Sequence, residues 1–218
     1  MAKIVWDQTG ARLYETGTKN CVLYPQDEKG AYPLGVAWNG VTAISQSPSG
    51  AEPSPLYADD IKYLELMSNE EFGCSIEAYT YPDEFAACDG SAELAPGVTI
   101  GQQVRKAFGL AYKTTVGNDV KGNDFGYKLH LIYGGKASPS EKSYATINDS
   151  PEAVTFSWEV TTTPVEVTGF KPTSYICIDS TKVDAAKLKA LEDALFGTES
   201  EEAHLPLPNE VASMMKTA

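Results

Sequence analysis

The chain has 218 residues, of which 42% are apolar, 22% charged and 10% aromatic, a balance that belongs to folded domains and excludes a disordered tail, a collagen and a coiled coil. Thirty Asp and Glu against 17 Lys and Arg leave a formal charge of −13, which argues against a groove that grips phosphate backbones through counterion release. A surface that merely lets nucleic acid pass is not excluded.

The start, Met1-Ala2-Lys3-Ile4-Val5-Trp6-Asp7, reaches charge and turn residues before an apolar leader can form, and no stretch approaches the roughly 18 apolar residues of a membrane span. A cytosol-like compartment is expected. Cys21, Cys74, Cys88 and Cys177 lie far apart with no Cys-x-x-Cys spacing, which fits buried thiols better than disulfides or metal ligands.

After a turn-rich start, period-two alternation dominates residues 36–180, the mark of strands with one buried face. Strands are expected around 36–46 and 60–67. Between them, residues 45–60 read as a long connection with three prolines, which stiffen it and deny it a place in a sheet, ending in apolar Leu56 and Tyr57. Such a loop suits either a contact with another chain or packing over its own domain.

Next, Phe72, Cys74, Ile76 and Ala78 share one face while Ser75, Glu77 and Tyr79 share the other. Pro82 to Gly90 carries proline at a first helical position, acids in the first turn and glycine at the end, which predicts a two-turn helix. Val104, Phe108, Leu110, Tyr112 and Val116 alternate with smaller or polar residues. With the turn residues Gly117-Asn118-Asp119 and Gly122-Asn123-Asp124, they make residues 103–133 a long antiparallel hairpin, ended by Gly134-Gly135. Val154, Phe156, Trp158 and Val160 alternate with Thr155, Ser157, Glu159 and Thr161, and a last strand lies around 173–179.

A helix is expected from about Asp184 to Phe196, with Thr181 and Asp184 as a weakened capping box, Gly197 as its stop, and Leu188, Leu191 and Leu195 as its docking stripe. The chain thus divides into a β domain (1–181), a C-terminal helix (182–197) and an acidic, proline-containing tail (198–218). Residues 209–218 form either a short helix or a mobile tail. Alternation alone leaves barrel and sandwich open, since both bury one face of each strand.

Catalytic patterns are scarce. Gly134-Gly135-Lys136-Ala137 lacks the spacing and the hydroxyl of a phosphate loop, so no nucleotide site is supported. His130 sits in an alternating run with Lys128 and Ile132, on what reads as the wetter face, and His204 lies in the acidic tail; no nucleophile pairs with either. Asp59-Asp60, Glu70-Glu71 and Asp83-Glu84 are adjacent pairs, and neighbours on a strand point to opposite faces, so they are not acid–base dyads by themselves. No enzyme activity, cofactor or metal is expected. Asn148-Asp149-Ser150 formally matches a glycosylation acceptor, but proline follows it.

Charge is unevenly spread: residues 50–90 hold ten acids and one base, residues 101–142 three acids and seven bases. These blocks are either solvated faces or complementary surfaces of neighbouring copies meeting head to tail.

The order of parts, Val41-Thr42-Ala43-Ile44, the Ser/Pro loop, Pro55-Leu56-Tyr57-Ala58-Asp59-Asp60, Asn69-Glu70-Glu71-Phe72-Gly73 and Tyr81-Pro82-Asp83-Glu84-Phe85, resembles the major tail proteins, or tail tube proteins, of long-tailed bacteriophages. The likeness is one of pattern over residues 10–180, with 57–85 its most specific stretch. It implies a mainly β fold, an antiparallel barrel or sandwich of the tail-tube type with a short flanking helix. The additional C-terminal helix is not part of it.

The resemblance also implies a structural virion subunit with no cofactor. Six copies close into a ring, rings stack into a hollow tube, and DNA passes through the lumen without specific binding. Its partners are other copies and other tail proteins such as tape measure, terminator and baseplate or distal tail proteins, with no membrane contact; assembly is in the host cytoplasm. In that frame Pro53, Pro55, Leu56 and Tyr57 are the leading ring or subunit contact, and the tip with Asn118, Asp119, Asn123 and Asp124 is the second. Glu70, Glu71 and Glu77 are lumen-lining candidates, because carboxylates repel a polyanion. The tube of a contractile particle shares this architecture, and a β-sandwich carbohydrate-binding module built on Trp38, Trp158 and the tyrosines is the alternative of another class.

Overall fold

The computed structural model describes residues 3–147 and 153–216; the Asn148 motif lies outside them. In chain order the elements are β1 (Leu13–Pro25), β2 (Val36–Ala37), β3 (Val41–Gln46), β4 (Ser49–Gly50), β5 (Pro53–Ala58), β6 (Ile61–Met67), β7 (Glu70–Glu71) and β8 (Gly73–Ala78). They continue with a 3-10 turn (Asp83–Phe85), β9 (Ala92–Ala95), β10 (Val98–Ile100), β11 (Phe108–Asn118), β12 (Gly122–Ala137), β13 (Phe156–Thr162), β14 (Tyr175–Asp179), α1 (Ala185–Phe196) and α2 (Pro208–Met215). The fold is mainly β and antiparallel, as the alternation requires.

One sheet organises the body, in the order β2-β1-β11-β12-β13-β8-β3, with β14 also on β12. The 16-residue β12 changes partner midway: Lys128 to Ile132 pair with β14, Gly135 to Ala137 with β13. The bend between them falls at Gly134, whose φ is 62° and where a Cβ would lie 2.2 Å from the Thr163 carbonyl oxygen, so only glycine fits. Gly134-Gly135 therefore bends the strand where an ending was expected. The two ends of the strand path, β2 and β3, are joined by residues 38–40, so the sheet curls back towards itself. The two ends share no ladder, and the barrel is not closed.

Alternation along the strands feeds two cores. Leu23, Leu110, Tyr112 and Ile132 point into the first, which the curled sheet wraps with Trp38, Phe85, Phe108 and Trp158. Val22, Tyr24, Ala111, Leu129, Leu131 and Tyr133 point into the second, where Leu188, Leu191 and Leu195 of α1 and Val211 of α2 cover the opposite face. Phe108 to Tyr112 is consequently buried on both sides, whereas Val104 lies outside the strand and is exposed.

Helix α1 follows its expected signals. The Asp184 side chain accepts from the amides of Ala186 and Lys187, and Gly197 closes the helix at φ 75°. Thr181 takes no part in the cap; its hydroxyl donates to Asp179 instead. The acidic tail docks firmly: His204 N donates to the Ala194 carbonyl, Leu205 N to Tyr32 and the Tyr133 hydroxyl to Pro206, delivering Leu205 and α2 to the second core.

Several local expectations are overturned. The turn-rich start contains the long strand β1, whose first half is almost wholly exposed and shows no alternation. The two-turn helix after Pro82 is a 3-10 turn followed by further turns to Gly90, with Phe85 buried. The prolines of residues 45–60 do not keep that segment out of a sheet: Pro53 and Pro55 lie within β5, paired to β6.

Candidate functional site

The β5–β6 hairpin is an arm on which every residue of both strands is exposed. It turns through Asp59 and Asp60, whose φ values of 51° and 62° are those of a two-residue turn matching strand twist. Its root is the short β4–β7 pair, where Gly50, at φ 82°, leaves 2.2 Å between a built Cβ and the Asn69 carbonyl oxygen.

Register assigns the faces. The pairs Ser54 with Leu66, Leu56 with Leu64, and Ala58 with Ile61 lie on one face; Pro53 with Met67, Pro55 with Glu65, and Tyr57 with Lys62 lie on the other. Tyr63 is the extra residue of a bulge on β6. The bulge puts Glu65 on the side of Lys62, to which it is ion-paired at 2.7 Å. The first face is almost wholly apolar, and Tyr57, Tyr63 and Met67 remain 71%, 69% and 68% exposed.

A second surface is the outer side of β3, β8 and β13. Cross-strand register places Ala43, Glu77 and Ser157 in one row and Ser45, Ser75 and Glu159 in the next. The helix-bearing core does not extend over these strands, and Glu77 and Glu159 are exposed with no ion pair among the described residues. Glu70 and Glu71 are also exposed but sit on β7 at the root of the arm, in a separate two-stranded sheet.

The tip between β11 and β12 is tied down. Asn118 is 5% exposed, donating to the Gly10 carbonyl and accepting from the amides of Val120 and Lys121. Asp119 accepts from Gly10 N and Asn123 from the Tyr14 hydroxyl, so three of the four expected contact residues hold the N-terminal segment of their own chain. Asp124 is exposed.

A polar cavity of about 340 Å³ opens between β3 and β14, lined by Glu15, Gln46, Thr114, Lys128, His130, Tyr175 and Cys177 among others. His130 is 5% exposed, not on a wet face. The proton order is fixed by what each group can do: the Tyr175 hydroxyl donates to Nδ1, Nε2–H donates to Thr114 Oγ1, and Thr114 donates to Glu15. Burial holds the imidazole pKa below its ordinary value, partly offset by Glu15. Burial pushes the Glu15 carboxyl up, but hydrogen bonds from Lys128 and Thr114 outweigh it and leave it lowered. The chain of bonds is satisfied end to end and acts as a polar closure of the first core.

Sequence reasoning missed Asp89. Its buried carboxylate accepts from Trp158 Nε1 at 3.1 Å and pairs with Lys142 at 2.7 Å and Arg105 at 3.5 Å, pinning the segment after β12 to the core. Nothing local in Cys88-Asp89-Gly90 signals this. Cys21, Cys74 and Cys88 are buried thiols, the last two pushed up to about 12 by burial, while Cys177 is exposed, contrary to expectation. Among the described residues no cluster of three or more His, Cys, Asp or Glu is arranged to hold a metal ion, and no helix is long and apolar enough to cross a membrane. No protein-family model matches the chain, and a search of curated proteins finds no match.

Proposed function

We propose that the chain is a structural subunit of a hollow tube of the long-tailed bacteriophage kind: copies close into rings, six per ring as the resemblance implies, rings stack, and DNA passes without being bound. The observation that carries this reading is the arm, which presents apolar side chains to water on both faces with no covering element among the described residues. A lone two-stranded ribbon is marginal in water, and an exposed apolar patch of this kind marks a protein contact. Pro53, Pro55, Leu56 and Tyr57 belong to that contact.

The bare outer face of β3, β8 and β13 supports the second half of the reading. Turned towards a lumen, the unpaired carboxylates of Glu77 and Glu159 repel phosphates and keep a passing polyanion off the wall. Glu70 and Glu71, at the root of the arm, belong to the contact region in this arrangement. Tape measure, terminator and distal tail proteins are the further partners the resemblance implies. Trp38 and Trp158, 2% and 0% exposed, offer no platform for a sugar, so a carbohydrate-binding module would have to rest on the exposed tyrosines, of which Tyr57 and Tyr63 belong to the arm.

The test is negative-stain electron microscopy of the pure protein at high concentration. Rings or tubes with a central channel are expected, and a monomer that persists at every salt concentration overturns the proposal.

A further inference from the structure

The two edges of the arm differ chemically. Glu52 accepts from Ser68 N and donates its own amide to Ser68 Oγ, so residue 52 turns its backbone towards the strand opposite. On a regular strand, residues 54 and 56 then do the same, and residues 53 and 55 turn away. Those two are proline, which has no N–H to offer. The outer edge of β5 is thus blocked, while on the outer edge of β6 the backbone groups of Glu65 and Met67, which stand opposite Pro55 and Pro53, face outward with no strand beyond them among the described residues.

We propose that the open edge of β6 takes an added strand from a second copy of the chain, and that the strand is β10, Val98–Ile100, with Lys106 flanking it. This rests on reading the chain as a self-assembling subunit. Residues 93–104 are exposed without exception, and β10 is paired on one side only. Its apolar residues Val98 and Ile100 are 50% and 38% exposed, and Val104 beyond it is 93% exposed.

Charge selects this mate. Residues 52–71 carry six acids and one base, whereas residues 98–106 carry Arg105, Lys106 and no acid. Four bases of the positive block are spent internally, Arg105 and Lys142 on Asp89, Lys113 on Glu192 and Lys128 on Glu15; of the three that are exposed with no ion pair among the described residues, Lys106, Lys121 and Lys136, Lys106 is the one that follows β10. Because donor and acceptor are different surfaces, each copy gives one strand and receives one, the contact type that closes rings or extends tubes. The prolines on β5 stop the sheet from growing further.

The test compares assembly concentration, by light scattering and micrographs, for wild type, Glu65→Pro, Lys106→Glu, Glu65→Lys/Lys106→Glu and Pro55→Thr, with thermal melting as the check on folding. Glu65→Pro removes an outward N–H and is expected to raise the assembly concentration about tenfold or more at unchanged melting temperature. Lys106→Glu weakens assembly and the charge swap restores it; Pro55→Thr opens the blocked edge and yields larger, irregular aggregates. Wild-type assembly by Glu65→Pro, or a swap no better than Lys106→Glu alone, overturns the inference while leaving the tube reading standing. A discrete dimer lost in Glu65→Pro keeps the inference and removes the tube. A wild type that is monomeric throughout removes both.

Discussion

The body and the arm are both antiparallel sheet, yet they hold together for different reasons. In the body, β13 sets Trp158 and Val160 into a core closed by strands from distant parts of the chain, and its aromatic neighbours Trp38, Tyr81, Phe85 and Phe156 surround the indole at centroid distances of 5.1–5.8 Å. In the arm, β5 and β6 pair along their length with one bulge, and every residue stays exposed. Backbone pairing is common to both, so what separates a self-sufficient sheet from one awaiting a partner is whether apolar area leaves water on folding. The body's stability therefore belongs to the monomer, and the arm's apolar surface belongs to an assembly.

Truncating the body's centre is the strongest way to break this contrast. Trp158→Ala removes a fully buried indole and is expected to cost about 3–5 kcal/mol in denaturant unfolding of the monomer. Asp89→Ala leaves Lys142 and the Trp158 N–H without their acceptor at a site where the carboxylate is only 7% exposed, and about 3 kcal/mol is expected by the same measurement.

Acidification is a smaller effect with a defined sign. His130 and Glu15 both have folded-state pKa values below their ordinary ones, so the unfolded chain binds more protons as pH falls, and stability present at neutral pH is lost. The His130 part is lost as pH drops below its ordinary 6.5, the Glu15 part only below 4.5. A plot of melting temperature against pH should fall through the first window, and His130→Gln should flatten it there.

The arm gives the smallest stability change. Tyr57→Ser is expected to move monomer stability by no more than about 0.5 kcal/mol while lowering assembly, read by melting and by sedimentation. A large loss of monomer stability would mean that the arm is part of the body after all.

Legibility followed how local the physics is. The β13 alternation and the α1 signals, Asp184, the leucine stripe and Gly197, could be read directly because each depends on residues within a turn or two. Strand β1 was invisible because its first half pairs with β11 while remaining wet, and pairing without burial leaves no mark on residue choice. His130 lies on the expected strand, but its burial is decided by Tyr112, Tyr175 and the mouth of the curled sheet. Proline in the arm misled for a related reason: it is forbidden only where its nitrogen must donate, and which side of β5 needs donors is set by β6.

A mainly β chain, the buried faces of β8 and β13, the docking helix and the separation of acidic from basic blocks follow from the sequence alone, because period, capping and charge are properties of neighbouring residues. Only the tertiary structure decided that helices cover one part of the sheet and leave the Glu77 face bare, that Asp89 is a buried anchor, and that one edge of the arm is open and the other closed. Burial and strand partnership join residues dozens of positions apart, and no local pattern records which distant surface will arrive.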